Sequence, residues 1–126
     1  MEFVNYPGLK QNKYHALAQK YLPKGCCGVI SFSIKGGRER AAAFIDHLKM
    51  VSLEVHVADI RTCILHPASS THRQLTDEQL VNCGITPGLI RLSCGIEHID
   101  DILEDFNTGV RTDIGDETAC RSIYRM

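Results

Sequence analysis

One arginine lies inside an otherwise apolar segment of this sequence. Residues 88–96 read GLIRLSCGI, and Ile90 and Leu92 flank Arg91. The alternation predicts a strand that carries Leu89, Arg91 and Ser93 on one face. A guanidinium stays charged, and its planar fork matches a carboxylate with two parallel hydrogen bonds. Arg91 is therefore a candidate receptor for the carboxylate of an amino acid. A structural salt bridge and a solvent-facing arginine are the alternatives that the pattern leaves open.

A second polar constellation is the segment HPASSTHR, residues 66–73, which carries two histidines and three hydroxyl side chains. The six-residue spacing of His66 and His72 is not a standard zinc spacing, and no third ligand stands out. The sequence also lacks the G-x-S-x-G turn that would expose a nucleophilic serine. Hydroxyl-rich loops commonly hold themselves together through local hydrogen bonds. We therefore expect a structured loop at the rim of a site.

Two further features carry weaker signals. Lys35-Gly36-Gly37-Arg38 precedes a predicted helix, where backbone N–H groups can bind an anion. The segment lacks the P-loop and G-x-G-x-x-G patterns, so a tight turn between strand and helix is the favoured interpretation. His56 lies on the polar side of another predicted strand, and the pattern by itself indicates a surface histidine.

The elements that position these residues follow from hydrophobic periodicity and turn signals. The predicted order is helix, strand, helix, strand, strand, helix, strand, helix, over residues 14–21, 28–35, 38–50, 51–57, 62–66, 76–84, 89–96 and 99–110. Residues 1–13 are expected to be an extended segment that leads into the domain, and residues 111–126 a loosely ordered tail. We predict a two-layer α+β domain with a mostly antiparallel four-stranded sheet covered by helices.

Composition excludes several classes of function. The 126 residues suit one domain, and 14 basic against 15 acidic residues give a net charge of -1. That balance predicts no nucleic-acid partner, and the absence of a long apolar run predicts no membrane partner and a cytoplasmic location. The six cysteines form no C-x-x-C motif, so neither a disulfide framework nor a zinc ribbon is expected. Cys63 and Cys94 fall in apolar patterns and are predicted to be core thiols.

Six collinear stretches resemble one known family. They are VNYPGL (4–9), GVISFSIKGG (28–37), FIDHLKM (44–50), HVADIRT (56–62), HPASSTHRQLTDEQL (66–80) and GITPGLIRLSCGIEHIDDILEDF (84–106). Together they are similar to the C-terminal domain of the Cys/Met metabolism family of pyridoxal-phosphate (PLP) enzymes, and within it to the O-acetylhomoserine sulfhydrylase branch. The resemblance covers roughly residues 4–110 in order and without large gaps.

The resemblance implies a fold, a cofactor and a site. The fold is the small C-terminal domain of fold-type I PLP enzymes, which closes the site of a larger PLP-binding domain. In that family the arginine of the L-I-R-L-S motif, here Arg91, binds the α-carboxylate of the substrate. His56 stands where relatives carry Ser or Asn, so the implication for His56 is weaker.

The resemblance also implies what lies outside this chain. No lysine has the S-x-T-K context of the cofactor lysine. The implied partner is therefore a separate N-terminal PLP-binding domain within a homo-oligomeric parent enzyme, and the 126 residues alone are expected to be inactive.

Two alternatives belong to other classes of function. The run of elements over residues 28–96 can be interpreted as ferredoxin-like, which would suit a free-standing module that binds a small molecule or regulates another protein. A protein-interaction domain is the other alternative, because a sheet face that lacks its covering domain invites self-association.

Overall fold

A five-stranded sheet forms one layer of the molecule. The computed structural model describes the backbone of residues 1–114 and the side chains of residues 1–110. The strands are β1 (Phe3–Asn5), β2 (Val29–Ser33), β3 (Ser52–Leu53), β4 (Cys63–Leu65) and β5 (Leu89–Ser93). Their order in the sheet is β1-β2-β5-β4-β3, so the strand that carries Arg91 lies at the centre.

Four helices complete the described chain, and two of them cover one face of the sheet. They are α1 (His15–Tyr21), α2 (Gly37–Asp46), α3 (Asp77–Asn82) and α4 (Ile99–Ile114), with a single 3-10 turn at Pro67–Ser69. The helix predicted from residue 76 is present as α3 and begins with a capping box, in which Thr76 and Gln79 exchange hydrogen bonds between side chain and backbone. No helix in the described part of the chain is both long and apolar enough to cross a membrane.

The core lies between the sheet and the helices α2 and α4. Ile64, Ile90 and Leu92 supply the sheet side and are at most 6% exposed. Phe32 of β2 and Phe44 of α2 meet with ring centroids 6.4 Å apart, and Phe106 of α4 lies 5.5 Å from Phe44. Cross-strand neighbours of these apolar residues also point to the face that α2 and α4 cover. The residues that alternate with them along each strand point to the other face of the sheet, which we call the open face.

A buried carboxylate fastens α4 to the segment that follows α2. Asp105 is 7% exposed. Its two oxygens accept hydrogen bonds from the backbone N–H groups of Lys49 at 2.8 Å, Met50 at 3.0 Å and Val51 at 3.0 Å. These bonds satisfy the donors of a chain reversal that would otherwise be buried without partners. The sequence analysis did not predict this contact, because its donors are backbone N–H groups that lie 54 to 56 residues earlier in the chain.

The sheet corrects the prediction of four mostly antiparallel strands. It has five strands and is mixed, because β3 pairs parallel to β4 while the other neighbours are antiparallel. The missed strand is β1, which pairs with β2 and lies inside the predicted lead-in segment. Three residues give too little alternation for a strand to be seen, and the turn residues Asn5-Tyr6-Pro7-Gly8 follow at once. The prediction of an α+β domain is confirmed at the level of a sheet covered by helices.

The second predicted strand is shorter than its pattern. The alternation over residues 51–57 predicts seven extended residues, whereas β3 contains only Ser52 and Leu53. The chain then leaves the sheet in a loop over residues 54–61, and Ala58 in this loop takes the left-handed conformation with φ of 60°. A residue in that conformation cannot continue a strand.

The topology contradicts the ferredoxin-like alternative. A ferredoxin-like sheet places the first and third strands of the β-α-β-β-α-β run side by side. Here the first strand of the run, β2, and the third, β4, are not neighbours, because β5 lies between them and pairs with both.

At the other end of the chain, α4 continues to Ile114, beyond the predicted end at residue 110. The predicted tail lies, from residue 115 onwards, outside the described residues.

Candidate functional site

A row of cross-strand neighbours on the open face contains Arg91. Ser31 of β2 is the partner of Arg91 on one side, and Leu65 of β4 is its partner on the other. Asn5 of β1 is in turn the partner of Ser31. Arg91 and Ser31 are both half-buried, whereas Leu65 is 6% exposed. The site is therefore a central arginine with a hydroxyl on one flank and an aliphatic wall on the other.

Backbone carbonyls hold the guanidinium of Arg91. Its Nη2 donates to the carbonyl oxygen of Val55 at 2.7 Å and lies 3.4 Å from that of His56. No Asp or Glu among the described residues forms an ion pair with Arg91. The salt-bridge alternative left open by the sequence thus has no support in the described part of the chain. The positive charge is anchored in place, and Nε and Nη1 make no hydrogen bond to any described residue.

The loop over residues 54–61 is fixed at its base by a carboxylate clasp. Glu97 accepts from the backbone N–H of Thr62 and from its hydroxyl, both at 2.7 Å. The same hydroxyl accepts from the N–H of Gly95 at 2.9 Å. Hydrogen bonds from Thr62, that of its backbone first, lower the pKa of Glu97. A Cβ on Gly95 would lie 2.4 Å from the carbonyl oxygen of Ile60, so only glycine lets the two segments approach this closely.

The tip of the same loop is held by a second set of contacts. The N–H of Ala58 donates to the hydroxyl of Ser93 at 3.2 Å, which ties the loop to the strand of Arg91. Asp59 accepts from the backbone N–H of Arg61 at 2.9 Å and from its guanidinium. The hydrogen bonds from Arg61 hold the pKa of Asp59 well below its usual range. The carbonyls that face Arg91 therefore sit on an ordered segment.

His56 reaches the site through its backbone. Its carbonyl faces Arg91, while its side chain is about half exposed and its Nδ1 lies 3.3 Å from an oxygen of Asp59. The structure thus brings both predicted residues, Arg91 and His56, to one place. The imidazole interacts with the carboxylate of Asp59, and the backbone carbonyl of His56 is the group that faces the guanidinium.

The HPASSTHR loop is held together by local hydrogen bonds, as predicted. His66 is 1% exposed, its Nδ1 shares a hydrogen bond with the hydroxyl of Ser69 at 2.9 Å, and its Nε2 lies 2.8 Å from the carbonyl oxygen of Pro87. Ser70 donates to the carbonyl of His66 at 2.6 Å. Burial lowers the pKa of His66. This histidine therefore links the end of β4 to the residues that lead into β5, the strand of Arg91.

The predicted turn at residues 35–38 is present and serves the same loop. Gly36 and Gly37 take φ values of 103° and 67°, which glycine adopts without strain. Arg38 then donates to the carbonyls of Ala68 and Leu75 and to the carboxylate of Asp77. These contacts fill the hydrogen-bonding groups of Arg38 with partners from this chain. The turn therefore positions Arg38 so that it holds the loop that follows β4.

Other candidate sites in the described chain are less well equipped. A cavity of about 320 Å³ lies beside α1 and is lined by residues that include His15, Gln19 and Cys26. It contains no residue of the Arg91 row. The described residues contain no group of three or more His, Cys, Asp or Glu side chains arranged to hold a metal ion. Cys63 is 1% exposed on the open face and Cys94 packs against the core, so each is a thiol in apolar surroundings, as the sequence predicts.

Ser31 and the carbonyls of the 54–61 loop were not foreseen from the sequence. Ser31 lies in the strand predicted over residues 28–35, but the pattern of a single strand shows alternation and no neighbours. The register of β2 against β5 is the information that places it beside Arg91.

Comparison with known proteins identifies the family of this chain. The profile of the family described as Cys/Met metabolism PLP-dependent enzyme matches residues 1–111. An O-acetyl-L-homoserine sulfhydrylase of Leptospira meyeri is 46% identical over 112 residues, which are 88% of this chain and 25% of that protein. The chain spans about a quarter of the length of the curated relatives it matches.

Two solved structures share the fold. A Campylobacter jejuni structure described as an O-acetylhomoserine (thiol)-lyase, which carries an N′-pyridoxyl-lysine-5′-monophosphate, superimposes with a TM-score of 0.75 at 40% identity. That match covers 86% of this chain and 26% of the other. A cystathionine gamma synthase of Xanthomonas oryzae pv. oryzae in complex with cystathionine gives a TM-score of 0.76 at 37% identity, over 90% of this chain and 29% of the other.

Proposed function

Because the chain belongs to the Cys/Met metabolism PLP-dependent enzyme family, we propose that residues 14–110 are the C-terminal, carboxylate-binding domain of a longer enzyme. Residues 1–13 lead into this domain, and residues 111–126 form its tail. The complete protein is a transferase of the O-acetylhomoserine sulfhydrylase type. It replaces the acetate of O-acetyl-homoserine with sulfide and so forms homocysteine. The identity to the Leptospira meyeri sulfhydrylase supports this choice of reaction.

The observation that carries the proposal is the state of Arg91. A half-buried guanidinium that is anchored to a backbone carbonyl at 2.7 Å, and that has no acidic partner among the described residues, is available to pair with an anion from elsewhere. The α-carboxylate of an amino acid has the size and geometry to pair with it. The relative from Xanthomonas oryzae that shares this fold is in complex with an amino acid, cystathionine, which supports a ligand of that class.

Within this proposal the chain contributes orientation. Arg91 binds the carboxylate, and the carbonyls of Val55 and His56 limit the directions in which the guanidinium can turn. The clasp of Glu97 on Thr62 keeps the loop that bears those carbonyls in place. A substrate fixed at its carboxylate presents its remaining groups in a defined direction, which is the main way that positioning accelerates a reaction. His56 is a second, weaker candidate for contact with the substrate.

The described residues do not suit the task of holding PLP. The cofactor needs a lysine for its covalent link. None of the six lysines of the sequence has the S-x-T-K context, and none lies in the row of cross-strand neighbours that contains Arg91. We therefore place the cofactor lysine in an N-terminal domain outside this chain, and we expect the 126 residues alone to be inactive.

An apolar rim beside the site supports the presence of a further domain. Val55 and Val57 are each 53% exposed, Ile60 is 70% exposed, and Ile96, whose N–H bonds to the carbonyl of Ile60, is 81% exposed. A cluster of large exposed aliphatic side chains next to a binding site is typical of a surface that another part of the protein covers. In the complete protein this apolar rim is covered by the domain that binds PLP or by a second subunit of a homo-oligomeric parent.

The proposal is tested with the product of the complete reading frame. That protein is loaded with PLP, reduced with borohydride and mapped by mass spectrometry, and its conversion of O-acetyl-L-homoserine and sulfide to homocysteine is measured in parallel. We expect one modified lysine outside residues 1–126 and homocysteine formation by the complete protein only. A single stoichiometric adduct on a lysine within residues 1–126 would overturn the assignment of this chain as the carboxylate half of the site.

A further inference from the structure

We propose that Ser31 is a second donor to the carboxylate bound at Arg91, and that the pair forms one receptor built across two strands. This inference rests on the proposed function, since it assigns another residue to the same ligand. It requires that the side chain of Ser31 lie close to Arg91, that its hydroxyl be available, and that the ligand have acceptor sites that Arg91 leaves unfilled.

The register of the sheet places the two side chains close together. The N–H of Cys94 donates to the carbonyl of Gly28 at 2.8 Å, and the N–H of Ile34 donates to that of Gly88 at 3.3 Å. Hydrogen-bonded pairs alternate along an antiparallel ladder, so Ser31 and Arg91 form a pair without mutual backbone hydrogen bonds. In such pairs the Cα atoms approach to about 4.5 Å and the side chains lie closest together. Ser31 is therefore the direct cross-strand neighbour of Arg91 on the β2 flank, and its side chain carries a hydroxyl.

The surroundings leave that hydroxyl available. Within the described residues the hydroxyl of Ser31 makes no hydrogen bond. The neighbouring serine on the same face, Ser33, differs in this respect. Its hydroxyl donates to Glu2 at 2.8 Å and accepts from Thr86 at 3.3 Å, and it is fully buried. On the far flank of Ser31, the side-chain oxygen of Asn5 is engaged by Asn12 at 2.9 Å. Ser31 is therefore the polar residue next to Arg91 whose hydroxyl remains free for a ligand, since Asn5 lies one strand further from Arg91.

The ligand has acceptor sites that one arginine cannot fill. A carboxylate offers about four lone-pair positions, and a fork of guanidinium N–H groups takes two of them. On the other flank of Arg91, Leu65 supplies only hydrocarbon. A carboxylate at Arg91 therefore has a hydroxyl donor on one side and an apolar wall on the other. This asymmetry selects one orientation of the carboxylate and, with it, one orientation of the rest of the amino acid.

The test uses matched variants and matched ligands in the complete PLP-loaded protein. The variants are Ser31→Thr, which keeps a hydroxyl, Ser31→Val, which has the shape of threonine without the hydroxyl, and Ser31→Ala, which removes the hydroxyl alone. Ser52→Ala, a serine of β3 on the same sheet and away from the Arg91 row, is the control. The probes are L-norleucine and n-pentylamine, which has the same amino group and chain but no carboxylate. Calorimetry measures both dissociation constants.

The expected result is a loss confined to the carboxylate ligand. Ser31→Ala and Ser31→Val raise the dissociation constant of L-norleucine about 10-fold, because one hydrogen bond to a charged acceptor is lost. Ser31→Thr and Ser52→Ala stay within about 3-fold of the parent. Binding of n-pentylamine is unchanged in all four, which also shows that each variant is folded.

Arg91→Lys separates the two ways in which the idea can fail. Lysine keeps the charge and loses the fork, so we expect L-norleucine to weaken about 10-fold or more. If Arg91→Lys has this effect and Ser31→Ala does not, the role of Ser31 is refuted and the proposed function stands. If neither variant alters the preference for L-norleucine over n-pentylamine, both proposals are refuted. Equal weakening of both ligands by Ser31→Ala would show a structural role and would also refute the inference.

Discussion

Replacing Asp105 by asparagine tests how α4 is fastened to the rest of the fold. The carboxylate accepts three backbone N–H bonds, one at Oδ1 from Lys49 and two at Oδ2 from Met50 and Val51. Asparagine keeps one oxygen, which can serve the Met50 and Val51 pair, but turns an NH₂ group towards the N–H of Lys49. Loss of one charge-assisted bond costs about 1.5–3 kcal/mol, and the two remaining bonds weaken because the acceptor becomes neutral. The expected total is about 3 kcal/mol.

Amide hydrogen exchange measures this loss where it occurs. A cost of about 3 kcal/mol corresponds to roughly 100-fold faster exchange of the amides of residues 49–51, if these amides exchange by local opening. Asp100→Asn is the matched control on the same helix, since its side chain is 82% exposed. Equal protection of residues 49–51 in Asp105→Asn and Asp100→Asn would refute the reasoning.

Two further predictions concern the residues that position the site. Burial lowers the pKa of His66 from its ordinary value of 6.5, so the stability contributed by the neutral imidazole is fully present above pH 6.5 and is lost as the pH falls below it. The decrease in the urea midpoint from pH 7.5 to pH 5.5 should therefore be smaller in His66→Gln than in the parent. His98→Gln, at an exposed position, should show the same decrease as the parent. Ala58→Gly should raise the melting temperature by about 2–4 °C, because glycine relieves a left-handed conformation that costs alanine about 1 kcal/mol. A lower melting temperature would contradict that assignment of strain.

The sequence predicted those elements that carry long or chemically marked patterns. The alternation around Arg91 and the signals for a helix from residue 76 both led to correct elements, because each is encoded by residues close together in the chain. β1 was missed because three residues carry little periodicity. β3 was drawn too long because the apolar alternation continues into the 54–61 loop, where the apolar side chains point to solvent. Parallel pairing of β3 with β4 left no mark on either segment.

The candidate site was predictable at its centre only. Arg91 stands out because a permanent charge in an apolar strand demands an explanation. Its surroundings depend on contacts between distant segments, namely the carbonyl of Val55 and the cross-strand hydroxyl of Ser31. Backbone carbonyls have no signature in a sequence, and strand register is set by packing and turn geometry across the whole domain. His56 was singled out through resemblance, and its backbone is the part that faces the arginine.

The most direct test of the central claim is the affinity of Arg91→Gln for an amino acid and for the matching amine. In the complete PLP-loaded protein, calorimetry compares L-norleucine with n-pentylamine, and Lys20→Gln serves as the control for removal of a cation. Losing a fork-shaped ion pair should weaken L-norleucine about 100-fold and leave n-pentylamine unchanged. An unchanged ratio of the two affinities would show that Arg91 does not bind the carboxylate, and the proposed role of this chain would be wrong.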